Sequence, residues 1–136
     1  MTRSLRKIVL INPKRSIKHD NPSFYEMLEH NRDYLKLWFS PPLSLLVIAS
    51  HTPKSIEIKI IDEHFENIDF DEDYDLVGIT AMTQQAFRAY EIADEFRNRN
   101  KIVVMGGIHS TILPDEALEH ANTVIIGEAE ELWPQY

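Results

Sequence analysis

The chain has 136 residues, 43% hydrophobic and 26% charged, which suits one domain with its own core and excludes wholesale disorder. Its 22 acidic and 14 basic residues give a net charge of −8, which disfavours a nucleic-acid scaffold with a basic surface. Cysteine is absent, which excludes disulfides, cysteine nucleophiles, thiolate zinc sites and cysteine-ligated iron–sulfur clusters within these residues.

No apolar run approaches the roughly 20 residues of a membrane span, and the N-terminal residues show no signal-peptide cleavage pattern, so a cytoplasmic protein is expected. Lys7 to Ile11 is a short apolar run ended by Asn12-Pro13, the pattern of a strand buried on both faces. Ser40 followed by Pro41-Pro42 predicts a helix start. Leu43 to Ser50 is apolar nearly all round, which predicts a well-buried helix. Ile56 to Ile61 alternates with Glu57 and Lys59 and predicts a strand nearer a sheet edge. Leu76 to Thr80 is a third strand. Thr83 is a candidate cap for a helix running to about Asn98, with Ala86, Ala89, Tyr90, Ala93 and Phe96 on one face. Lys101 to Met105 is a fourth strand, stopped by Gly106-Gly107. Pro114-Asp115-Glu116 opens a short helix with carboxylates in its first turn, where the helix dipole favours them. Thr123 to Ile126 is a fifth strand, stopped by Gly127, and Glu128, Glu130 and Glu131 suggest one more helix start.

Short apolar strands alternating with helices predict an α/β fold: a flavodoxin-like (Rossmann-like) three-layer αβα sandwich. Five parallel strands with right-handed crossovers favour the order 2-1-3-4-5. Residues 1–136 form one domain in this reading, with an insertion at 14–39 that carries Phe24, Tyr25, Tyr34, Trp38 and Phe39. A peripheral helix packing its aromatics is the ordinary account of that insertion; a functional loop is the other. Residues 62–75 hold eight carboxylates without the spacing of a calcium loop, so a solvated acidic connection is expected.

Ligands of an open parallel sheet bind beyond the carboxyl ends of its strands. The residues predicted there are Asn12 and Pro13, Thr80, Ala81, Met82 and Thr83, Gly106, Gly107, Ile108 and His109, and Gly127 and Glu128. The glycine pair lets backbone approach a ligand closely or adopt positive φ; a tight turn would explain it equally. No dinucleotide fingerprint follows the first strand, and no Walker A loop is present. Strand three ends in Thr80 and not in a phosphorylatable aspartate, which argues against a receiver domain. The hydroxyls of Thr80 and Thr83 suit a phosphate, so an FMN-binding or regulatory flavodoxin-like domain stays open as the alternative.

Four segments together carry a resemblance: Pro41 to Leu46, Asp75 to Thr80, Met105 to Thr111 and Ile126 to Glu130. Over roughly residues 5–134 the chain resembles the cobalamin-binding N-terminal domain of B12-dependent radical SAM proteins, the group that includes the anaerobic magnesium-protoporphyrin IX monomethyl ester cyclase type. The resemblance implies a corrinoid at the carboxyl edge of the sheet. Thr80-Ala81-Met82 would meet its nucleotide tail, and Gly106-Gly107 would line the tail's channel, so that a side chain at Gly107 would block it. The family's Gly-Glu-Gly-Glu appears as Gly127-Glu128-Ala129-Glu130, a departure at Ala129. The histidine that many corrinoid proteins place after strand one is missing here. His109 and His19 are the remaining candidates as cobalt ligands, and neither is expected to coordinate. The resemblance further implies a radical SAM barrel following this domain, with S-adenosylmethionine, a [4Fe-4S] cluster and a small-molecule substrate, for methyl transfer or oxidative ring formation. This chain, lacking cysteine, would hold none of those. A degenerate module that only associates with its neighbour is a third reading.

Overall fold

In the computed structural model, residues 4–15 and 43–135 are described. Most of the 14–39 insertion, the Ser40 cap and His19 lie outside these residues. Five parallel strands form one sheet in the order β2-β1-β3-β4-β5, the expected topology. They are β1 (Lys7–Asn12), β2 (Glu57–Asp62), β3 (Leu76–Thr80), β4 (Ile102–Gly106) and β5 (Thr123–Val124). The helices are α1 (Leu43–Ser50), α2 (Ala86–Asn98), α3 (Ile108–Ile112) and α4 (Pro114–His120).

The sheet is covered on both faces, which explains the continuous apolar run of β1. Val9 and Ile11 point to one face, where they join Val77, Ile79, Val103 and Met105 beneath Ala89, Ala93 and Phe96 of α2 and Ala117 of α4. Ile8 and Leu10 point to the other, with Leu76, Val104, Ile125, Leu45 of α1 and Trp133. As its alternation predicts, β2 lies at an edge.

Three local expectations are corrected. The helix after β3 begins as a 3-10 turn, Thr83–Gln85, before α2. Thr83 does not cap it. The Gln85 carboxamide reaches back instead and accepts from the Met82 N–H at 2.9 Å. Strand β5 is two residues long, not four. The Ile125 N–H still donates to the Met105 carbonyl, but Gly127 at φ +78° turns the chain away and leaves Ile126 exposed. Finally, α1 is not well buried. Leu45 alone is fully covered; Leu43 and Leu46 are 66% and 45% exposed and turn away from the cleft that Ser44, Leu45, Val47 and Ile48 line.

The acidic connection 62–75 is solvated but paired. Glu63 binds Arg88, Asp71 binds Arg99, Asp73 binds Lys101, and Glu72 bridges Lys7 and Lys59. Among the described residues no group of three or more histidine or acidic side chains is placed to hold a metal ion, and no helix is long and apolar enough to cross a membrane.

Candidate functional site

The carboxyl ends of β3 and β4 open onto a cleft of about 440 Å³, bounded by α1, α3 and the turn at 125–133. That volume is in the range of small-molecule sites. Two strand positions beside the cleft carry no side chain: at Gly78 the Leu10 side chain takes the space, with Leu10 Cδ2 2.7 Å from where a Cβ would lie, whereas at Gly106 the space is open. Gly78 lies opposite Leu10 of β1 and Val104 of β4, and Gly106 lies opposite Thr80. A Cβ at Gly106 would meet nothing within 4 Å, so the backbone there is an open cradle. Val47 and Ile48 of α1 and Ile108 and Ile112 of α3 form facing apolar walls.

Six of the twelve predicted residues line this cleft: Thr80, Gly106, Gly107, Ile108, Gly127 and Glu128. The two glycines of the pair play different parts. Gly107 has φ +97°, and a Cβ on it would lie 2.8 Å from both the Ala81 carbonyl and Thr80 Oγ1. It therefore serves the packing of the turn against the end of β3, and a side chain there would strike the fold before any ligand. Thr111 ties the rim together: its hydroxyl donates to the Gly107 carbonyl at 2.9 Å and accepts from the Gly127 N–H at 3.0 Å.

The other six do not line it. Asn12 and Pro13 are held by Gln85, whose carboxamide nitrogen donates to Asn12 Oδ1 at 3.0 Å and to the Pro13 carbonyl at 2.6 Å. Ala81 is buried and exchanges backbone bonds with Gly106 and His109. Met82 and Thr83 are exposed beside it. His109 is buried on the far side of the turn. Its Nε2 approaches the Tyr90 hydroxyl at 3.0 Å and Glu116 Oε1 at 3.2 Å, and its Nδ1 lies 3.4 Å from Thr83 Oγ1. Tyr90 donates to Glu116 at 2.8 Å, and Tyr90 and then His109 hold that carboxyl below the usual range. A carboxylate only accepts, so the network assigns the proton to Nε2 of His109. The ring is spent on local bonds. Thr80 and Thr83 thus fall on different sides of the turn, and they do not converge as a phosphate site.

At the ends of β1 and β2 the groups are likewise paired. Burial pushes the Asp62 carboxyl up, but bonds from the His64 side chain and backbone and from Asn12 outweigh it and leave it below its ordinary value. Gly78, Thr111 and Trp133 were not singled out from the sequence. A glycine inside a strand is a recognised sign of close backbone approach, and Gly78 carried that signal. Trp133 carried none: its place depends on Thr52, which accepts from the indole N–H at 2.8 Å across 81 residues of chain.

A doubly covered parallel sheet with an apolar cleft at its carboxyl edge defines a ligand-binding α/β domain. The B12 binding domain family matches residues 39–135, and the chain belongs to that family. It is 52% identical over 92 residues to bacteriochlorophyllide d C-8(2)-methyltransferase of Chlorobaculum tepidum, covering 67% of this chain and 20% of that protein. It is 39% identical over 99 residues to bacteriochlorophyllide d C-12(1)-methyltransferase of the same organism, covering 71% and 22%. It is also 36% identical over 103 residues to an uncharacterized methyltransferase of Pyrococcus horikoshii, covering 66% and 22%. The chain thus spans about a fifth of the length of these curated relatives. No solved structure matches it significantly.

Proposed function

We propose that this chain is the corrinoid-holding module of a cobalamin-dependent methyltransferase of the radical SAM type. The observation that carries the reading is the cleft at the carboxyl edge, where Gly106 leaves the backbone bare, in a chain of the B12-binding family. A corrinoid's nucleotide tail would be held in this cleft. Gly106 would lend bare backbone to the tail, and Ile108, Ile112, Val47 and Ile48 would line its path. Glu128 and Glu130 stand at the exposed mouth. When bound, a corrinoid supplies methyl-transfer chemistry. This chain's own part is to bind, orient and shield. The names of the relatives favour methyl transfer over ring formation. S-adenosylmethionine, an iron–sulfur cluster and the small-molecule substrate would be held by a covalently linked radical SAM domain.

Equilibrium dialysis with hydroxocobalamin, read by corrin absorbance, tests the reading. Retention is expected with micromolar or weaker affinity, since a covering domain would add binding area. No retention at millimolar protein would overturn it. Yellow fluorescence from added FMN retained instead would favour the flavodoxin-like alternative.

A further inference from the structure

The segment beyond β5 is anchored at both ends and lightly held between them. Ile125 is 3% exposed, and its N–H donates to the Met105 carbonyl at 2.9 Å. Trp133 is 6% exposed, and its indole N–H donates to Thr52 Oγ1 at 2.8 Å. Of the residues 126–132 that join these anchors, all are exposed except Ala129, which is half-buried against the apolar layer of that sheet face. The Ala129 carbonyl accepts from the Leu132 N–H at 3.2 Å and from the Trp133 N–H at 2.8 Å. Gly127 to Glu130 form one side of the cleft.

Among the described residues, a single hydrogen bond ties this segment to α3. The Gly127 N–H donates to Thr111 Oγ1 at 3.0 Å, and the same hydroxyl donates to the Gly107 carbonyl at 2.9 Å. The hydroxyl has one proton, and spending it on Gly107 turns a lone pair towards Gly127. Gly127 holds φ +78°, and a Cβ there would meet nothing within 4 Å. Its backbone angle demands glycine, while the space around it is open. An exposed segment with few bonds between two buried anchors is the kind of element that opens locally while the rest of the fold stays intact.

We propose that residues 126–132 are a strap that opens and closes one side of the cleft, and that the Thr111 hydroxyl is its latch. Thr111 then acts as a positioning residue: it holds the strap against α3. The strap pivots between Ile125 and Trp133, and its opening sets how fast a ligand enters and leaves. A latch that closes alike on the empty and the loaded cleft changes both rates by one factor and leaves affinity where it was. The nature of what passes rests on the corrinoid reading above; the strap and its latch do not.

Amide hydrogen exchange read residue by residue tests the latch without any ligand. In the parent chain below its unfolding transition, the Leu132 and Gly127 amides are expected to exchange faster than Ile125 and with little dependence on urea. Protection and urea dependence equal to those of Ile125 would overturn the strap. Thr111→Val keeps the branched shape and removes the hydroxyl, and it should speed exchange at Leu132 about fivefold while Ile125 is unchanged. Thr111→Ser keeps the hydroxyl and should restore the parent rate. Unchanged Leu132 exchange in folded Thr111→Val would overturn the latch; should that variant not fold, the parent measurement decides. Stopped-flow mixing with hydroxocobalamin tests the gate. Association and dissociation are both expected to rise about fivefold in Thr111→Val, with Kd kept. Faster dissociation alone would overturn the inference, because the hydroxyl would then hold the ligand and not the strap. Unchanged rates beside faster exchange would overturn the gating role. No binding by the parent would overturn the corrinoid reading and leave the latch to the exchange result.

Discussion

Gly106 and Gly107 are adjacent and chemically identical, and only the backbone separates their roles. Valine at Gly107 would have to hold φ near +97° with its Cβ against the Ala81 carbonyl. Such strain costs about 1–3 kcal/mol before the clash is counted. Valine at Gly106 suits a strand and meets open space. Gly107→Val is therefore expected to lower the denaturation midpoint strongly. Gly106→Val should change stability by less than about 1 kcal/mol while filling the cleft and weakening cobalamin binding at least tenfold. Thermal melts beside titrations check both; a stable Gly107→Val that binds normally would contradict the geometry. His109 belongs to the same turn. His109→Ala leaves the Tyr90 and Glu116 oxygens with one partner fewer and is expected to cost about 1–3 kcal/mol, with little change in affinity once folded protein is compared. A glycine pair after a buried strand was legible as a special turn. Which glycine served the turn was not, because the atoms that decide it belong to Thr80 and Ala81 at the end of β3, some 26 residues earlier in the chain.

Elements were legible where their burial is symmetric. The two-sided apolar runs of β1, β3 and β4 announce a parallel sheet because helices cover both faces. The burial of α1 was misjudged, since composition cannot tell a helix packed into a core from one lining a cleft. The length of β5 was misjudged because its end is set by Gly127 and not by a change in hydropathy. Edge pairing through charge is a separate matter, and it makes a pH prediction. Glu72 accepts from Lys7, from the Tyr74 hydroxyl and from Lys59, and these bonds hold its carboxyl down to about 2 from an ordinary 4.5. A carboxyl depressed in the folded state contributes stability that is complete above about 4.5 and is lost as pH falls towards 2. Asp62 and Glu116, also lowered, steepen the same limb. Urea midpoints measured down that range should fall, and Glu72→Gln should make the fall shallower. An equal slope in the variant would show that the β1–β2 brace does not carry the acid limb.

At the scale of the whole molecule, the sheet and its two apolar layers supply rigidity, and the cleft is the place where that packing is left incomplete. The strand order and the carboxyl-edge rule pointed to the edge where the cleft lies, without any contact information. Its interior was not legible, since Leu10, Gly78, Val104 and Trp133 come together only through register and a distant indole bond. A ligand that fills the gap binds the folded state alone, and it must therefore raise the melting temperature. At a free concentration of 100 times its dissociation constant, the gain is about 2.7 kcal/mol. For a domain of this size that corresponds to a rise of roughly 10 °C. Cobalamin is expected to produce a shift of that order in the parent chain and almost none in Gly106→Val, where a side chain occupies the cradle. Scanning calorimetry with and without the corrinoid measures it. Equal shifts in both proteins would place the ligand on some other surface, whereas no shift in the parent at saturating corrinoid would mean that the cleft does not take the tail.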